Sequence, residues 1–396
     1  MSRKIIIAAG GAILLFATAL AFGYGWRQSA LMLVGSFAGI ALYHAAFGFT
    51  SAWREVITGG NGAGLRAQML MLAATTIVFL PLIAHGDAFG MPVRGSVAPL
   101  ALSGIVGAFA FGIGMQLGGG CASGTLYTAG GGSTRMIVTL AGFIAGSVLG
   151  AWHLPAWDGQ PSLGTFSLLE RFGLPGGLAV NLLLLAAVAA VSLDIDRRRR
   201  ARNPASQPQQ PRAASWLKGP WPLLVGALAL ALVNISTLLL AGRPWGVTSA
   251  FALWGSKLLG TFGADVAAWP YWTSPGRSAS LNGSVLADVT SVMNIGIMLG
   301  AALAAGLAGA FAPIWRIPLR SLAAAALGGV LLGYGARLAY GCNIGAFFSG
   351  VASSSLHGWL WFGAAFIGNI VGTRLRPAFR LAEGNHRLET SSCAMQ

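Results

Sequence analysis

The chain has 396 residues, of which 55% are hydrophobic and only 9% are charged, and its mean hydropathy is +0.69. Soluble globular domains usually carry about 25% charged residues, so this composition excludes an ordinary soluble fold. The formal net charge of +15 would suggest nucleic-acid binding in a soluble protein. Here much of that charge lies between apolar runs, where retention of basic loops in the cytoplasm explains it. We therefore expect a membrane protein with no nucleic-acid partner.

Apolar runs of about 20 residues recur along the chain, and each can cross a hydrocarbon core of roughly 30 Å. We predict an all-α polytopic protein with spans at 4–24, 29–47, 65–84, 97–117, 136–153, 174–193, 220–240, 288–312, 319–338 and 358–376. The first run follows Arg3 and Lys4, and its length favours an uncleaved span over a signal peptide.

The segment 194–218 is rich in arginine, and its centre is rich in proline, glutamine and alanine. This composition predicts a flexible linker, which the positive-inside rule places in the cytoplasm. The linker divides the chain into a first transmembrane half, 1–193, and a second half, 219–380, followed by a cytoplasmic tail, 381–396. The same orientation places further arginines in the cytoplasm, namely Arg54, Arg66, Arg135, Arg316, Arg320, Arg374 and Arg376.

Four glycine-rich or short apolar segments lie between the predicted spans and are too short to cross a bilayer. They are 48–58, 118–132, 246–259 and 341–352. Irregular backbone survives at membrane depth only where protein or a water-filled cavity satisfies its polar groups. These segments are therefore predicted to be re-entrant loops or half-helices.

An internal duplication links two of these segments. Residues 112–124 align with residues 333–345 at a constant offset, with identical glycines and one identical cysteine in each copy. A shorter pair aligns 48–53 with 246–251. The span count places the two copies in opposite orientations, which predicts an inverted repeat with a substrate path at its centre. The alternative is chance similarity between glycine-rich segments, which has more weight for the shorter pair.

The duplicated cysteines, Cys121 and Cys342, are the main candidates for function. The chain has no protease, hydrolase or ATPase motif, and its cysteines have no zinc-ligand spacing. We expect no metal or other cofactor. Each candidate cysteine follows a glycine and precedes a short apolar segment, so its thiol would lie at a helix N-terminus that attracts anions. The alternative is that each cysteine is only a small apolar residue at a helix crossing.

Other candidates surround these two cysteines. Gly120 and Gly341 precede them and Gly124 and Gly345 follow them, while Arg337 and Asn343 are nearby polar residues. Arg337 is either an anion ligand or an interfacial arginine whose charged end reaches water. Asn343 either lines the path or binds neighbouring backbone. Four tryptophans are predicted to be interfacial aromatic residues, namely Trp53, Trp254, Trp359 and Trp361. Cys393 is expected to be incidental.

Three motifs resemble the YeeE/YedE family of sulfur transporters. They are residues 118–124, residues 243–254 and residues 341–361, so the resemblance extends over both halves of the chain. It implies an hourglass-shaped inner-membrane protein that imports thiosulfate past cysteines at its constriction. That role would fall on Cys121 and Cys342. The resemblance also implies an association with a small sulfur carrier protein similar to TusA.

The sequence departs from the family pattern at Gly48, where that pattern has a third cysteine. This difference leaves a related sulfur oxyanion or a selenium compound open as the substrate. A membrane sulfurtransferase or redox protein that carries a persulfide on Cys121 or Cys342 is the alternative function. A small-molecule exporter or channel unrelated to sulfur is a third hypothesis.

Overall fold

The structure is a computed structural model, which describes residues 1–202 and 215–381. The centre of the expected linker and the expected tail from residue 382 onward lie outside the described residues, and so does Cys393. The described part is mostly helical.

The first half contains eight helices. They are α1 (Arg3–Tyr24), α2 (Trp26–Ala45), α3 (Phe49–Gly59), α4 (Ala63–His85), α5 (Leu102–Gly118), α6 (Ala122–Gly130), α7 (Thr134–His153) and α8 (Leu168–Arg202). Gly173 has φ 67° and ψ 179°, so it interrupts α8 near its start. Two of the expected half-helices, those in 48–58 and 118–132, correspond to α3 and α6.

The second half contains seven further helices. They are α9 (Leu223–Ala241), α10 (Thr248–Thr261), α11 (Pro275–Asn282), α12 (Val289–Ala308), α13 (Leu319–Leu338), α14 (Ser349–Ala352) and α15 (Leu356–Leu375). A π-helical segment, Asn343–Phe348, leads into α14. Residues 262–288 connect α10 to α12 and form α11 and several single 3-10 turns, whereas only residues 60–62 connect α3 to α4.

Two short antiparallel sheets accompany the helices. Strand β1 (Asp87–Ala88) pairs with β2 (Met91–Pro92), and β3 (Pro99–Ala101) pairs with β4 (Ser162–Thr165). Both lie in connections between helices, so the all-α prediction describes the bundle itself but not these loops.

Nine helical segments of the described chain are long and apolar enough to cross a membrane. The protein is therefore a polytopic membrane protein, and the nine segments coincide with nine of the ten predicted spans. The tenth, 358–376, coincides with α15, which is not among the nine because polar residues such as His357 and Asn369 lower its hydropathy. α15 nevertheless packs along α5 in the centre of the fold.

Helix α8 continues past the start of the expected linker, so residues 194–202 are helical. Asp196 explains part of this extension, because its carboxylate forms an ion pair with Arg66 of α4 at 2.6 Å. The Ser192 hydroxyl donates a hydrogen bond to the carbonyl of Gly62 at 3.1 Å. These contacts tie the end of α8 to the start of α4, and a hydropathy pattern does not reveal them.

Helices α5 and α13 cross at the centre of the fold and run antiparallel. A Cβ placed on Gly107 would lie 2.6 Å from the carbonyl oxygen of Gly335, and one on Gly114 would lie 2.8 Å from that of Gly328. Glycine at these positions lets the two backbones approach closely, as is common where helices pack in membranes. Residues that rise along α5 contact residues that fall along α13, and this sets their antiparallel direction.

Two further crossings flank this pair. A Cβ on Gly112 of α5 would clash with the carbonyl oxygen of Ala365 in α15. A Cβ on Gly333 of α13 would clash in the same way with the carbonyl oxygen of Phe143 in α7. Gly112 and Gly333 are aligned residues of the duplication, so aligned glycines make corresponding contacts in the two halves.

Candidate functional site

Cys121 lies at the break between α5 and α6, where it caps the N-terminus of α6. Its side chain is 2% exposed. The sulfur accepts a hydrogen bond from the amide of Gly124 at 3.4 Å and lies 3.5 Å from the hydroxyl of Ser123. The amide of Phe49, the first residue of α3, lies near this thiol. The N-termini of α6 and α3 are therefore both close to the Cys121 sulfur.

Cys342 lies at the corresponding break after α13 and is fully buried. It begins the π-helical segment Asn343–Phe348, but its side chain makes no capping hydrogen bond to that segment. Cys342 and Cys121 belong to the same buried cluster, and the segments that follow them contact each other. The two cysteines that the sequence singled out are thus neighbours inside the protein.

Each cysteine is preceded by a glycine, and the two glycines lie in two tight turns of the same kind. A Cβ on Gly120 would lie 3.1 Å from the amide nitrogen of Thr125, and one on Gly341 would lie 2.9 Å from that of Ala346. Gly341 also has φ +149°, a conformation that favours glycine. Both turns fold the backbone amides back over the cysteine, so these glycines shape the surroundings of each thiol.

The beginnings of four short helical segments gather around the thiols. These are the starts of α3, α6, α10 and the π-helical segment. The Phe49 amide reaches Cys121, and a Cβ on Gly345 would lie 3.9 Å from the Cα of Gly246, two residues before α10. Because helix N-termini present unpaired N–H groups and a partial positive charge, this arrangement favours a bound anion.

Asn343 follows Cys342 and is fully buried. Neither its side-chain nitrogen nor its side-chain oxygen has a hydrogen-bond partner among the described residues. Most buried polar side chains in proteins are hydrogen-bonded, so this orphaned amide is available to a ligand. Its position next to a thiol and several backbone amides fits a small oxyanion.

Buried asparagines on the long helices hold the irregular backbone of the site. Asn234 of α9 accepts a hydrogen bond from the amide of Trp245 at 2.8 Å, and Asn294 of α12 donates to the carbonyl of Val247 at 2.9 Å. Asn181 of α8 donates to the carbonyl of Val351 at 2.7 Å. The sequence analysis did not select these residues, although a single asparagine in an otherwise apolar span is a signal that could have identified them.

Arg337 faces the start of α10 and does not extend toward the bundle surface. Its guanidinium donates hydrogen bonds to the Tyr271 hydroxyl at 2.7 Å and to the Thr248 hydroxyl at 2.6 Å. Its charge reaches Cys342 electrostatically. In the first half the aligned residue, Gln116, donates to the carbonyl of Thr50 at 3.2 Å. Arg337 therefore contributes positive charge near the thiol, and its role as a direct anion ligand stays a prediction.

Gly48 lies immediately before α3, beside the Cys121 site. Its φ of −114° and ψ of 128° are open to any residue. A Cβ on Gly48 would meet the hydroxyl oxygen of Ser51 at 2.7 Å, and the next nearest atoms would lie at 3.9 Å. A hydroxyl can rotate away, so the position has room for the cysteine that the family pattern has there.

Two of the four tryptophans expected at the interface are instead buried, namely Trp361 and, completely, Trp53. The Trp53 ring packs edge-on against Phe347 with a centroid distance of 6.0 Å, and its indole N–H donates to Gln68 at 2.8 Å. The ring thus supports the π-helical segment behind Cys342. Gln68 satisfies the indole nitrogen, which is what permits full burial.

The fold and the site define a polytopic helical membrane protein with two buried thiols among broken helices. A family model described as "Sulphur transport" matches residues 44–371. The chain belongs to this family, which includes YeeE and YedE.

Curated relatives fall into two groups. "Probable transporter YedE" of Escherichia coli is 33% identical over 45% of this chain, and the match covers 44% of that protein, which is less than half its length. "Thiosulfate transporter TsuA" of Spirochaeta thermophila is 28% identical, and the match covers 83% of this chain and 93% of that protein. The TsuA of Escherichia coli is 24% identical, over 85% of this chain and 90% of that protein.

Proposed function

We propose that this protein imports thiosulfate, or a closely related sulfur oxyanion, through a central constriction formed by Cys121 and Cys342. The observation that carries the proposal is that these two buried cysteines lie in one cluster at the centre of the fold, each at the start of a short helical segment. Two relatives that match most of this chain are named as thiosulfate transporters, and their names support the same substrate.

The chemistry of the site suits an anion with one sulfur end and several oxygens. A thiol S–H is a weak hydrogen-bond donor, and its polarizable sulfur suits the outer sulfur of thiosulfate. The backbone amides and the orphaned amide of Asn343 are donors for the oxygens. Passage then requires hydrogen bonds to be exchanged between Cys342 and Cys121 and no covalent bond to form.

An inverted repeat would give this path its hourglass shape. The antiparallel crossing of α5 and α13 supports that arrangement, since these helices are aligned by the duplication. The corresponding contacts of Gly112 and Gly333 support it as well. In inverted repeats, substrate sites lie near the bilayer midplane between broken helices, and Cys121 and Cys342 each lie at such a break.

The orientation follows from the charged residues at the ends of the helices. Arg54, Arg135, Arg320 and Arg376, all expected in the cytoplasm, line one common cavity, and this supports placing them on one side. We place that side in the cytoplasm of a cell with an inner membrane. A sulfur carrier protein similar to TusA would receive the imported sulfur there.

Uptake of radiolabelled thiosulfate into proteoliposomes tests the proposal. The unmodified protein should give saturable uptake that unlabelled thiosulfate suppresses more strongly than sulfate does. Cys342→Ala and Cys121→Ala should each lower uptake by at least about tenfold, because each removes a hydrogen-bond donor from the path. Normal uptake by both variants would exclude the thiol constriction.

The same experiment separates the alternative functions. Mass spectrometry of the protein during uptake should show both thiols unmodified. A persulfide on Cys121 or Cys342 that turns over with substrate would instead establish a sulfurtransferase. Absence of thiosulfate uptake, together with efflux of unrelated solutes, would establish an exporter or channel outside sulfur metabolism.

A further inference from the structure

A cavity of about 620 Å³ opens at one end of the protein, and its lining is strongly basic. Five arginines line it: Arg54, Arg135, Arg320, Arg376 and Arg380. They come from α3, α7, the start of α13 and the turn after α15. Among the described residues that line the cavity there is no aspartate or glutamate.

The cavity begins beside the thiol site. Gly119 lines its wall, and this residue lies in the break between α5 and α6, two positions before Cys121. The turn that contains Cys121 therefore forms part of the cavity wall at Gly119. This adjacency places the cavity next to the proposed path.

Two of the arginines cover the C-terminal end of α5. Arg135 donates hydrogen bonds to the carbonyls of Gly118 and Leu117, each at 2.7 Å, and Arg376 donates to that of Gln116 at 3.0 Å. The last carbonyls of a helix carry partial negative charge, which repels anions. Because the two arginines bind these carbonyls, this part of the cavity wall carries positive charge and attracts anions.

The arginines differ in depth. Arg54 and Arg376 are buried and Arg135 is half-buried, whereas Arg320 and Arg380 are exposed at the mouth of the cavity. Like charges gathered around one concave space raise its potential, and such a space concentrates counter-ions. The deep arginines also serve the fold, so the two exposed ones are suited to testing charge alone.

We propose that this cavity is a second anion site, which holds a small divalent oxyanion by charge and by hydrogen bonds from guanidinium groups. Its place on the path rests on the proposed function, but its binding chemistry does not require the thiols. The planar guanidinium group of arginine donates hydrogen bonds to pairs of oxyanion oxygens, and every sulfur oxyanion has such oxygens. The cavity therefore binds sulfate and thiosulfate equally well, and discrimination between them falls to Cys121 and Cys342.

Equilibrium dialysis with radiolabelled sulfate tests this site. The protein is the full chain in neutral detergent, with Cys121→Ala and Cys342→Ala in place so that neither side chain offers a hydrogen-bond donor. Binding should be saturable, should weaken steeply as salt rises, and should be displaced equally by thiosulfate. The double variant Arg320→Gln/Arg380→Gln should weaken it by at least about tenfold, and Arg320→Lys/Arg380→Lys should retain most of it.

Arg374→Gln provides the matched control. Arg374 is exposed near the end of α15 but does not line the cavity, so its removal should change sulfate affinity by less than about twofold. Equal weakening by Arg374→Gln and Arg320→Gln/Arg380→Gln would overturn the site in favour of a diffuse surface charge. Absence of sulfate binding to the thiol-free protein would also overturn it.

Two outcomes separate this inference from its rivals. Sulfate binding without any thiosulfate transport by the unmodified protein would leave the arginine site standing and remove the proposed function. Thiosulfate transport by the unmodified protein, without sulfate binding to the thiol-free protein, would leave the proposed function standing and remove the arginine site. Displacement of sulfate by phosphatidylglycerol but not by thiosulfate would assign the cavity to a lipid headgroup and overturn a site for free ions.

Discussion

The hydroxyl oxygen of Ser51 occupies the space into which a side chain at Gly48 would project. It donates a hydrogen bond to the Gly48 carbonyl at 3.3 Å and would lie 2.7 Å from an added Cβ. The backbone of Gly48 is extended, and the nearest backbone atom, the amide nitrogen of Ser51, would lie 3.9 Å from the added carbon, an ordinary contact distance. A rotation of the Ser51 side chain is therefore enough to make room for a cysteine at position 48.

Gly48→Cys should therefore fold normally and transport thiosulfate at least as fast as the unmodified protein. The added thiol would lie beside the start of α3, where the Phe49 amide already meets Cys121. The measurement is initial uptake into proteoliposomes, with Gly48→Ala as the control for added volume. Slower uptake by Gly48→Cys than by Gly48→Ala would contradict a favourable role for a third thiol.

Asn343→Leu should lower transport while leaving the protein equally stable or more stable. The fully buried amide of Asn343 has no partner among the described residues, so replacing it removes an unsatisfied group. A hydrogen bond to a charged ligand contributes roughly 1.5–3 kcal/mol, which corresponds to a KM increase of at least about tenfold. Uptake kinetics and the midpoint of thermal unfolding are measured on the same preparation.

Asn234→Leu is the matched control for that experiment. Asn234 is equally buried but binds Trp245 and Ser349, so its replacement should lower the unfolding midpoint. An unchanged KM in Asn343→Leu, or a loss of stability as large as that of Asn234→Leu, would assign Asn343 to the fold and not to the ion.

Gly112→Ala and Gly333→Ala should each prevent stable folding. In both cases the new Cβ would meet a backbone carbonyl of a neighbouring helix, at Ala365 or at Phe143, and backbone atoms cannot rotate away. Gly363→Ala in α15 is the control, because nothing lies within 4 Å of its added Cβ. Size-exclusion profiles of the three variants in detergent provide the comparison. A monodisperse Gly333→Ala beside an aggregated Gly112→Ala would contradict the equivalence of the two crossings.

Asp196→Ala should destabilise the protein by roughly 3 kcal/mol, because it leaves the part-buried Arg66 without the carboxylate that it binds. Asp194→Ala is the control, since Asp194 pairs with Arg198 on an exposed surface. Exposed pairs contribute at most about 1 kcal/mol. Chemical unfolding followed by tryptophan fluorescence measures both variants. Equal destabilisation by Asp196→Ala and Asp194→Ala would show that the part-buried ion pair to Arg66 contributes no more stability than the exposed pair.

The sequence predicts most of the architecture because hydropathy and glycine patterns are local signals. Apolar length locates the spans, and the duplicated glycine and cysteine positions locate the two breaks that contain Cys121 and Cys342. The span count also predicts that α5 and α13 run in opposite directions, but their direct contact joins residues far apart in the chain, and only the coordinates reveal it.

Other features escape sequence reasoning for physical reasons. Trp53 was expected at an interface because tryptophan favours that environment, but Gln68 satisfies its indole N–H and allows it to be buried. The helical extension of α8 depends on Arg66, which lies more than one hundred residues earlier in the chain. The asparagines that hold the irregular backbone of the site bind segments outside their own helices, so their partners cannot be read from their own spans.

The connection between α10 and α12 has no counterpart in the first half, where three residues join α3 to α4. It brings Tyr271 to Arg337, and Lys257 of α10 secures it by binding the carbonyls of Leu281 and Gly283 at 2.6 and 2.7 Å. The aligned residue of the first half, Gln116, binds the carbonyl of Thr50 and has no such segment beside it. The two cysteine turns, although similar in sequence, therefore lie in unlike surroundings, and only the one at Cys342 is braced by a long connection between helices.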